Sequence, residues 1–297
     1  MKIGIVGHGQ VGQAVINCKP IGIELIETDK LHLDISNRKE CIKEIKYHNP
    51  DWVINCAAYT SVDKAEDEPM KAKNINRNGP KYIAEAIKET KINLLHLSTD
   101  FVFNGKQNKA YKPNQLTSPI GIYGKTKAEG EEEIKKTLAK DNKGIILRTS
   151  WVMGVNGYNF AKTILKLNEK KEKISVVSDQ IASPTNAPGL AKACWKIIEC
   201  YSKPNFILPS ILHWTDSGVA SWFDIAVAIG EIGEEIGLLK KRALVIPIKS
   251  EEYQTKAKRP IFSCLDCEST SKIIRMKQMY WRDGLKDGAQ IIWAGNG

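Results

Sequence analysis

Lys2-Ile3-Gly4-Ile5-Val6-Gly7-His8-Gly9-Gln10-Val11-Gly12 decides the fold. A short β-branched run enters a G-x-G-x-x-G turn, and a helix-like stretch follows it. Glycines permit a turn this tight and let backbone approach a pyrophosphate. The N–H groups and dipole at the start of the helix favour negative charge. Gly7, Gly9, Gln10, Val11 and Gly12 are therefore expected to line a dinucleotide site, against the competing reading of a turn rich in glycine for packing alone.

Outward from this turn, further apolar runs near residues 23–27, 52–56, 93–97 and 144–149 are short and separated by stretches of helical period. Strand and helix alternate. Parallel strands need crossovers, and both sheet faces must then be covered, so the expectation is an α/β, Rossmann-like, doubly wound parallel sheet. Residues 1–152 are assigned to this dinucleotide-binding domain and 153–297 mainly to a smaller α/β substrate-binding domain, with some later elements returning to the first. In the second half, helix-like stretches run from Phe160 to Leu167, Gly189 to Ile198, 222 to 239 and 280 to 293. Strands are expected at Ile174–Val177 and ending at Trp214.

The chain has 297 residues, 42% hydrophobic and 26% charged, as in globular proteins with a substantial core. No stretch approaches the roughly 20 apolar residues of a membrane span. The sequence opens directly on a strand, so no targeting segment is expected, and a cytoplasmic location follows as an expectation. Seven scattered cysteines read as reduced thiols, and Cys264-x-x-Cys267 lacks the partners of a metal site, so no metal is expected. The net charge of +10 raises the question of nucleic acid, but the lysines stand beside glutamates, as in Glu131-Glu132-Glu133-Ile134-Lys135-Lys136. A solvated surface is the better reading, with no nucleic-acid partner, and the excess suits a diphosphate-bearing substrate.

On the cofactor side, Asp29 lies 17 residues beyond Gly12, where an acid accepts from adenosine ribose hydroxyls. Its neighbour Lys30 suits a 2′-phosphate, so NADPH and NADH both stay open. Asp34-Ile35 is placed near the adenine, and Ala57 and Ala58 end a strand with residues small enough for close approach; Tyr59 and Asn76 are added to the same side. Tyr123 and Lys127, four residues apart, share one helix face. A free tyrosine, with a pKa of about 10, is a poor acid–base catalyst at neutral pH, and a nearby ammonium is expected to lower that value. Ser98-Thr99-Asp100 ends the apolar run at 93–97, which places Thr99 by a substrate oxygen and Asp100 as an orienting group; capping of a turn is the alternative. His96 reads as a core histidine.

With these pieces in order, the sequence resembles the extended short-chain dehydrogenase/reductases, most closely their dTDP-4-dehydrorhamnose reductase branch, over nearly its whole length. The resemblance rests on Ser98-Thr99-Asp100-Phe101-Val102-Phe103-Asn104-Gly105, Tyr123 to Glu131, Arg148-Thr149-Ser150-Trp151-Val152, Asn159 to Thr163, Asp179-Gln180 with Ser183-Pro184-Thr185, and Arg259-Pro260 with Ser263, Leu265 and Asp266. It implies reduction by NADPH or NADH of the C4 keto group of a nucleotide-linked 4-keto-6-deoxy-L-sugar, dTDP-4-dehydrorhamnose giving dTDP-L-rhamnose, and a possible homodimer. By the same resemblance Tyr123 is the proton donor. Lys127 holds the nicotinamide ribose and lowers the tyrosine pKa, Thr99 binds the keto oxygen, and Phe103, Trp151, Asn159 and Arg259 face the nucleotide sugar. The first turn is one residue shorter than the family's, and Phe101, Gly121 and Met153 stand where other residues are usual. Phe101 in place of a glutamate argues against a dehydratase. A bifunctional epimerase/reductase needs a further proton-transfer group such as a cysteine, and blocks 98–105 and 148–154 contain none. A non-catalytic nucleotide-binding subunit of this fold is a third reading, which a fluorescence titration with reduced cofactor would separate from an enzyme.

Overall fold

Alternation of apolar residues along the strands sorts the core into two faces of one sheet. The computed structural model describes residues 1–28, 33–138, 142–203 and 209–294, with side chains as far as 288. Strands β1 (Lys2–Val6), β2 (Glu24–Thr28), β3 (Trp52–Asn55), β4 (Asn93–Thr99), β5 (Gly144–Thr149) and β6 (Ile211–His213) pair in the order β2-β1-β3-β4-β5-β6, all parallel. The helices used below are α1 (Gln10–Asn17), α2 (Arg38–His48), α3 (Gly79–Ile87), α4 (Ile122–Leu138), α5 (Phe160–Lys170), α6 (Ala187–Tyr201), α7 (Trp222–Glu235) and α8 (Trp281–Ala294).

Ile3, Ile5, Ile54, Leu95, Leu97 and Leu147 point to the face covered by α1 and α6. The intervening Val53, Leu94 and Ile146 point to the face covered by α2, α3 and α4. A third core joins α5, α7 and α8 to a parallel strand pair, Lys173–Val177 with Leu244–Ile248, through Ile164, Ile174, Ile225, Ile229 and Trp281. The chain beyond 152 contributes to both units, because α6, β6 and Ile274 pack on the first sheet. No helix among the described residues is long and apolar enough to cross a membrane, and all seven cysteines are free thiols.

Strand order reverses between β1 and β3. Connections leave that point on opposite sides of the sheet and open a crevice at the carboxyl ends, where such sheets bind ligands.

Candidate active site

A cleft of about 770 Å³ opens at the carboxyl ends of β1, β3, β4 and β5. The glycine turn forms one end. Gly7 has φ +92°, and a Cβ there would lie 2.6 Å from the Ala57 nitrogen; a Cβ on Gly12 would lie 1.8 Å from the Gly7 carbonyl oxygen. Gly12 is thus a packing residue behind the turn, while Gly7, Gly9, Gln10 and Val11 line the cleft. A Cβ on Gly9 would meet nothing within 4 Å, and this residue caps α1 without a side-chain bond. Open space beside uncapped helix N–H groups fits a dinucleotide pyrophosphate.

Asp34, Ile35, Ala57 and Ala58 continue this wall. The Asp34 carboxylate also accepts from the Ser36 N–H and hydroxyl at 2.9 and 2.7 Å, shaping the turn into α2. Asp29 lies outside the described residues. Tyr59 and Asn76, expected at the cofactor, are not among the lining residues. Tyr59 turns away to donate to Glu68 at 2.9 Å, and Asn76 braces the loop through the Tyr59 N–H and carbonyl at 2.8 and 3.0 Å and Thr126 at 3.2 Å.

At the other end stand Thr99, Asp100, Tyr123 and Lys127. Burial pushes the Tyr123 phenol up to about 12, with Thr99 as its hydrogen-bonding neighbour acting in the opposite direction. The expected lowering by Lys127 is not seen. Burial draws the lysine down to about 8, and its Nζ donates to the Leu97 carbonyl at 2.6 Å and lies 3.3 Å from His96 Nε2. Asp100 accepts from Thr99 at 3.1 Å and from Ser263 at 2.5 Å, and burial raises its carboxyl to about 7.

Of the expected sugar-side residues, Trp151 and Arg259 line the cleft. Trp151 adopts φ +44°, a left-handed conformation uncommon for a bulky residue, and stacks on Trp222 at 3.7 Å and 12°. Arg259 forms a two-point ion pair with Asp63, at 3.1 and 2.6 Å, which holds the Asp63 carboxyl below its usual range. Phe103 and Asn159 are placed elsewhere. Phe103 is fully buried, stacked on Tyr111 at 4.1 Å. Asn159 caps α5 through the Lys162 N–H at 3.0 Å, and its amide donates to Gln10 Oε1 at 2.9 Å, tying this loop to the glycine turn. Both are corrections with one cause: the side chain's polar or aromatic capacity is already used by a neighbour.

Sequence reasoning missed Trp222 and Tyr158 in the cleft wall; Cys56, which it read with Ala57 and Ala58 as a small residue ending a strand, lies there too. Ser221 and Asp224 form a capping box around Trp222, a pattern visible in Ser-Trp-Phe-Asp that announces the start of α7 but not its aim. The Cys56 thiol, pushed up to about 12 by burial, is no base at neutral pH. Among the described residues no group of three or more His, Cys, Asp or Glu is placed to hold a metal.

Residues 1–292 match the RmlD substrate binding domain family. The dTDP-4-dehydrorhamnose reductase of Aggregatibacter actinomycetemcomitans is 38% identical over 264 residues, 89% of each chain. A crystal structure of a dTDP-4-dehydrorhamnose reductase from Clostridium acetobutylicum superposes with TM-score 0.89 at 33% identity, covering 99% of this chain and 100% of that one. That of Bacillus anthracis, in complex with NADP, gives 0.88 at 32% identity, covering 98% and 99%.

Proposed function

The chain belongs to the RmlD substrate binding domain family, and on that premise we propose that it is an NAD(P)H-dependent oxidoreductase. It reduces the C4 keto group of a nucleotide-linked 4-keto-6-deoxy-L-sugar, taking dTDP-4-dehydrorhamnose to dTDP-L-rhamnose. The observation that supports this best is the meeting of Thr99, Tyr123 and Lys127 at one end of a cleft whose other end is the glycine turn.

The dinucleotide would lie along Gly7, Gly9, Gln10 and Val11 toward Asp34, Ile35, Ala57 and Ala58, and when bound its reduced nicotinamide supplies hydride to the ketone carbon. Tyr123 gives its phenolic proton to the oxygen. A phenol kept protonated by burial suits this direction, since the acid must hold its proton until negative charge develops. Thr99 presents a hydroxyl to the same oxygen; behind it stands Asp100, which accepts from Thr99 and is itself held by the Ser263 hydroxyl. Lys127, reaching the cleft from the face of α4 that bears Tyr123, places its nitrogen for the nicotinamide ribose. Arg259 offers an always charged guanidinium to the diphosphate through the N–H groups that its pairing with Asp63 and the Ala257 carbonyl leaves over, and the Trp151 indole forms a wall for the sugar.

Turnover with a panel of 4-keto-6-deoxy nucleotide sugars, followed by loss of reduced-nicotinamide absorbance, tests the reading. Conversion of the L-configured dTDP sugar supports it. No turnover under conditions where the cofactor binds overturns it, and conversion of the unepimerised D-sugar straight to the rhamnose nucleotide would establish the epimerase/reductase instead.

A further inference from the structure

We propose that His96 is a positioning residue for Lys127: held by Asn55 as the Nε2–H tautomer, its ring donates to the lysine nitrogen and favours the neutral amine. Adjacent strands supply the parts, since Asn55 of β3 stands in register with His96 of β4 and both side chains are fully buried. The Ala57 backbone N–H, which can only donate, points at Asn55 Oδ1 at 3.1 Å. The Asn55 NH₂ must then face His96 Nδ1, 3.1 Å away, so Nδ1 is the acceptor. Burial holds the imidazole well below its usual range, so the ring is neutral, and its one proton sits on Nε2.

That N–H points at Lys127 Nζ, 3.3 Å away. An ammonium would set donor against donor, whereas an amine accepts from His96 while still donating to the Leu97 carbonyl at 2.6 Å. Burial is the main force lowering the lysine, and among its polar neighbours the His96 contact acts in the same direction. Cys56, just beyond β3, stays a neutral thiol, and Tyr123 on the same helix a neutral phenol. Asp100 faces Thr99 and Ser263. Glu131, one turn along α4, favours the charged lysine, but its carboxylate is engaged by Arg148 of β5 at 2.9 and 2.6 Å and by Ser98 at 2.5 Å. His96 therefore opposes Glu131, and Lys127 exchanges its proton within the working pH range. The placement of Lys127 in the active site rests on the function proposed above; the hydrogen-bond logic does not.

The test uses the unliganded full-length chain. Long-range ¹H–¹⁵N spectra of the wild type at about pH 7 should show the His96 ring neutral with its proton on Nε2. A proton on Nδ1, or an imidazolium, overturns the proposal. Lysine-labelled ¹³C titration should place the Lys127 midpoint about one unit higher in His96→Leu, a tenfold gain in proton affinity. Asn55→Ala, which frees the ring to turn its acceptor toward the ammonium, should raise it in the same sense. Midpoints unmoved in both variants also overturn the proposal, and if His96→Leu does not fold, Asn55→Ala and the wild-type tautomer still decide. The pH dependence of kcat/KM should move with the midpoint, which a merely structural histidine would not produce. Should no nucleotide sugar turn over, the function falls while the ring and lysine signals still judge this inference.

Discussion

Thr99 has a single hydroxyl proton, and in the folded chain it points to Asp100. To donate to a ketone oxygen it must turn that proton outward, which is easiest when Asp100 is itself protonated and donates in return. The Asp100 carboxyl is raised to about 7, so it carries a proton below that pH and is a carboxylate above it. The sign follows: kcat/KM should fall as pH rises through about 7, by roughly two- to tenfold, the worth of one hydrogen bond. Asp100→Asn, whose amide donates at every pH, should flatten that limb; an unchanged profile would remove Asp100 from this role. Tyr123→Phe should lower kcat by about 10²–10⁴-fold with cofactor affinity, read by fluorescence titration, nearly unaltered. At this scale the sequence revealed which residue types met in the site, because motif spacing reports strand ends and helix faces. It did not reveal where each side chain's hydrogen bonds go, and the placements of Asn159 and Phe103 and the effect of Lys127 on Tyr123 were misread for that reason.

Helix α4 carries Tyr123 and Lys127, and two features fix it against the sheet. Glu131 and Arg148 form an ion pair with side chains 0% and 1% exposed, and Arg148 also donates to the Pro113 carbonyl at 3.3 Å. Removing one partner strands a buried charge, so Glu131→Ala should lose about 3–5 kcal/mol of stability in denaturant unfolding. Gly124 lies so near the short turn Asp100–Val102 after β4 that an added Cβ would be 2.1 Å from the Phe101 carbonyl oxygen. Gly124→Ala should displace Tyr123 and depress kcat in a chain whose cofactor binding, measured by titration, persists. The five N-terminal strands were legible as short apolar runs between stretches of helical period, and the face of α4 from the four-residue spacing of Tyr123 and Lys127. The helices Val62–Asp67 and Pro69–Lys73 and the two-residue strands Val152–Met153 and Thr185–Asn186 were not, since they are too short to establish a period.

Across the whole molecule, the C-terminal segment returns to the rim of the first sheet's cleft. Arg259 grips Asp63, and Lys256 pairs with Asp67 at 2.6 Å. Residues separated by nearly two hundred positions thus close one rim, and no periodicity in either stretch marks the meeting. Arg259→Ala should raise the Michaelis constant for the nucleotide sugar by roughly ten- to a hundredfold, as expected for hydrogen bonds to a charged group, with a smaller effect on the nicotinamide. Asp63→Asn should cost less than about 1 kcal/mol in thermal unfolding, because the pair is partly exposed. A rise in the Michaelis constant equal to that of Arg259→Ala would mean that Asp63 holds the arginine in its working position.

The Trp151–Trp222 stack gives the cleft an optical voice. Two indoles stacked 3.7 Å apart and nearly parallel share their electronic excitation, so their transitions mix and split instead of absorbing independently. The free chain should therefore show a paired positive and negative band in ultraviolet circular dichroism that Trp222→Phe abolishes. Any occupant that tilts Trp151 will change the splitting, so filling of the sugar side can be followed without a label and without turnover.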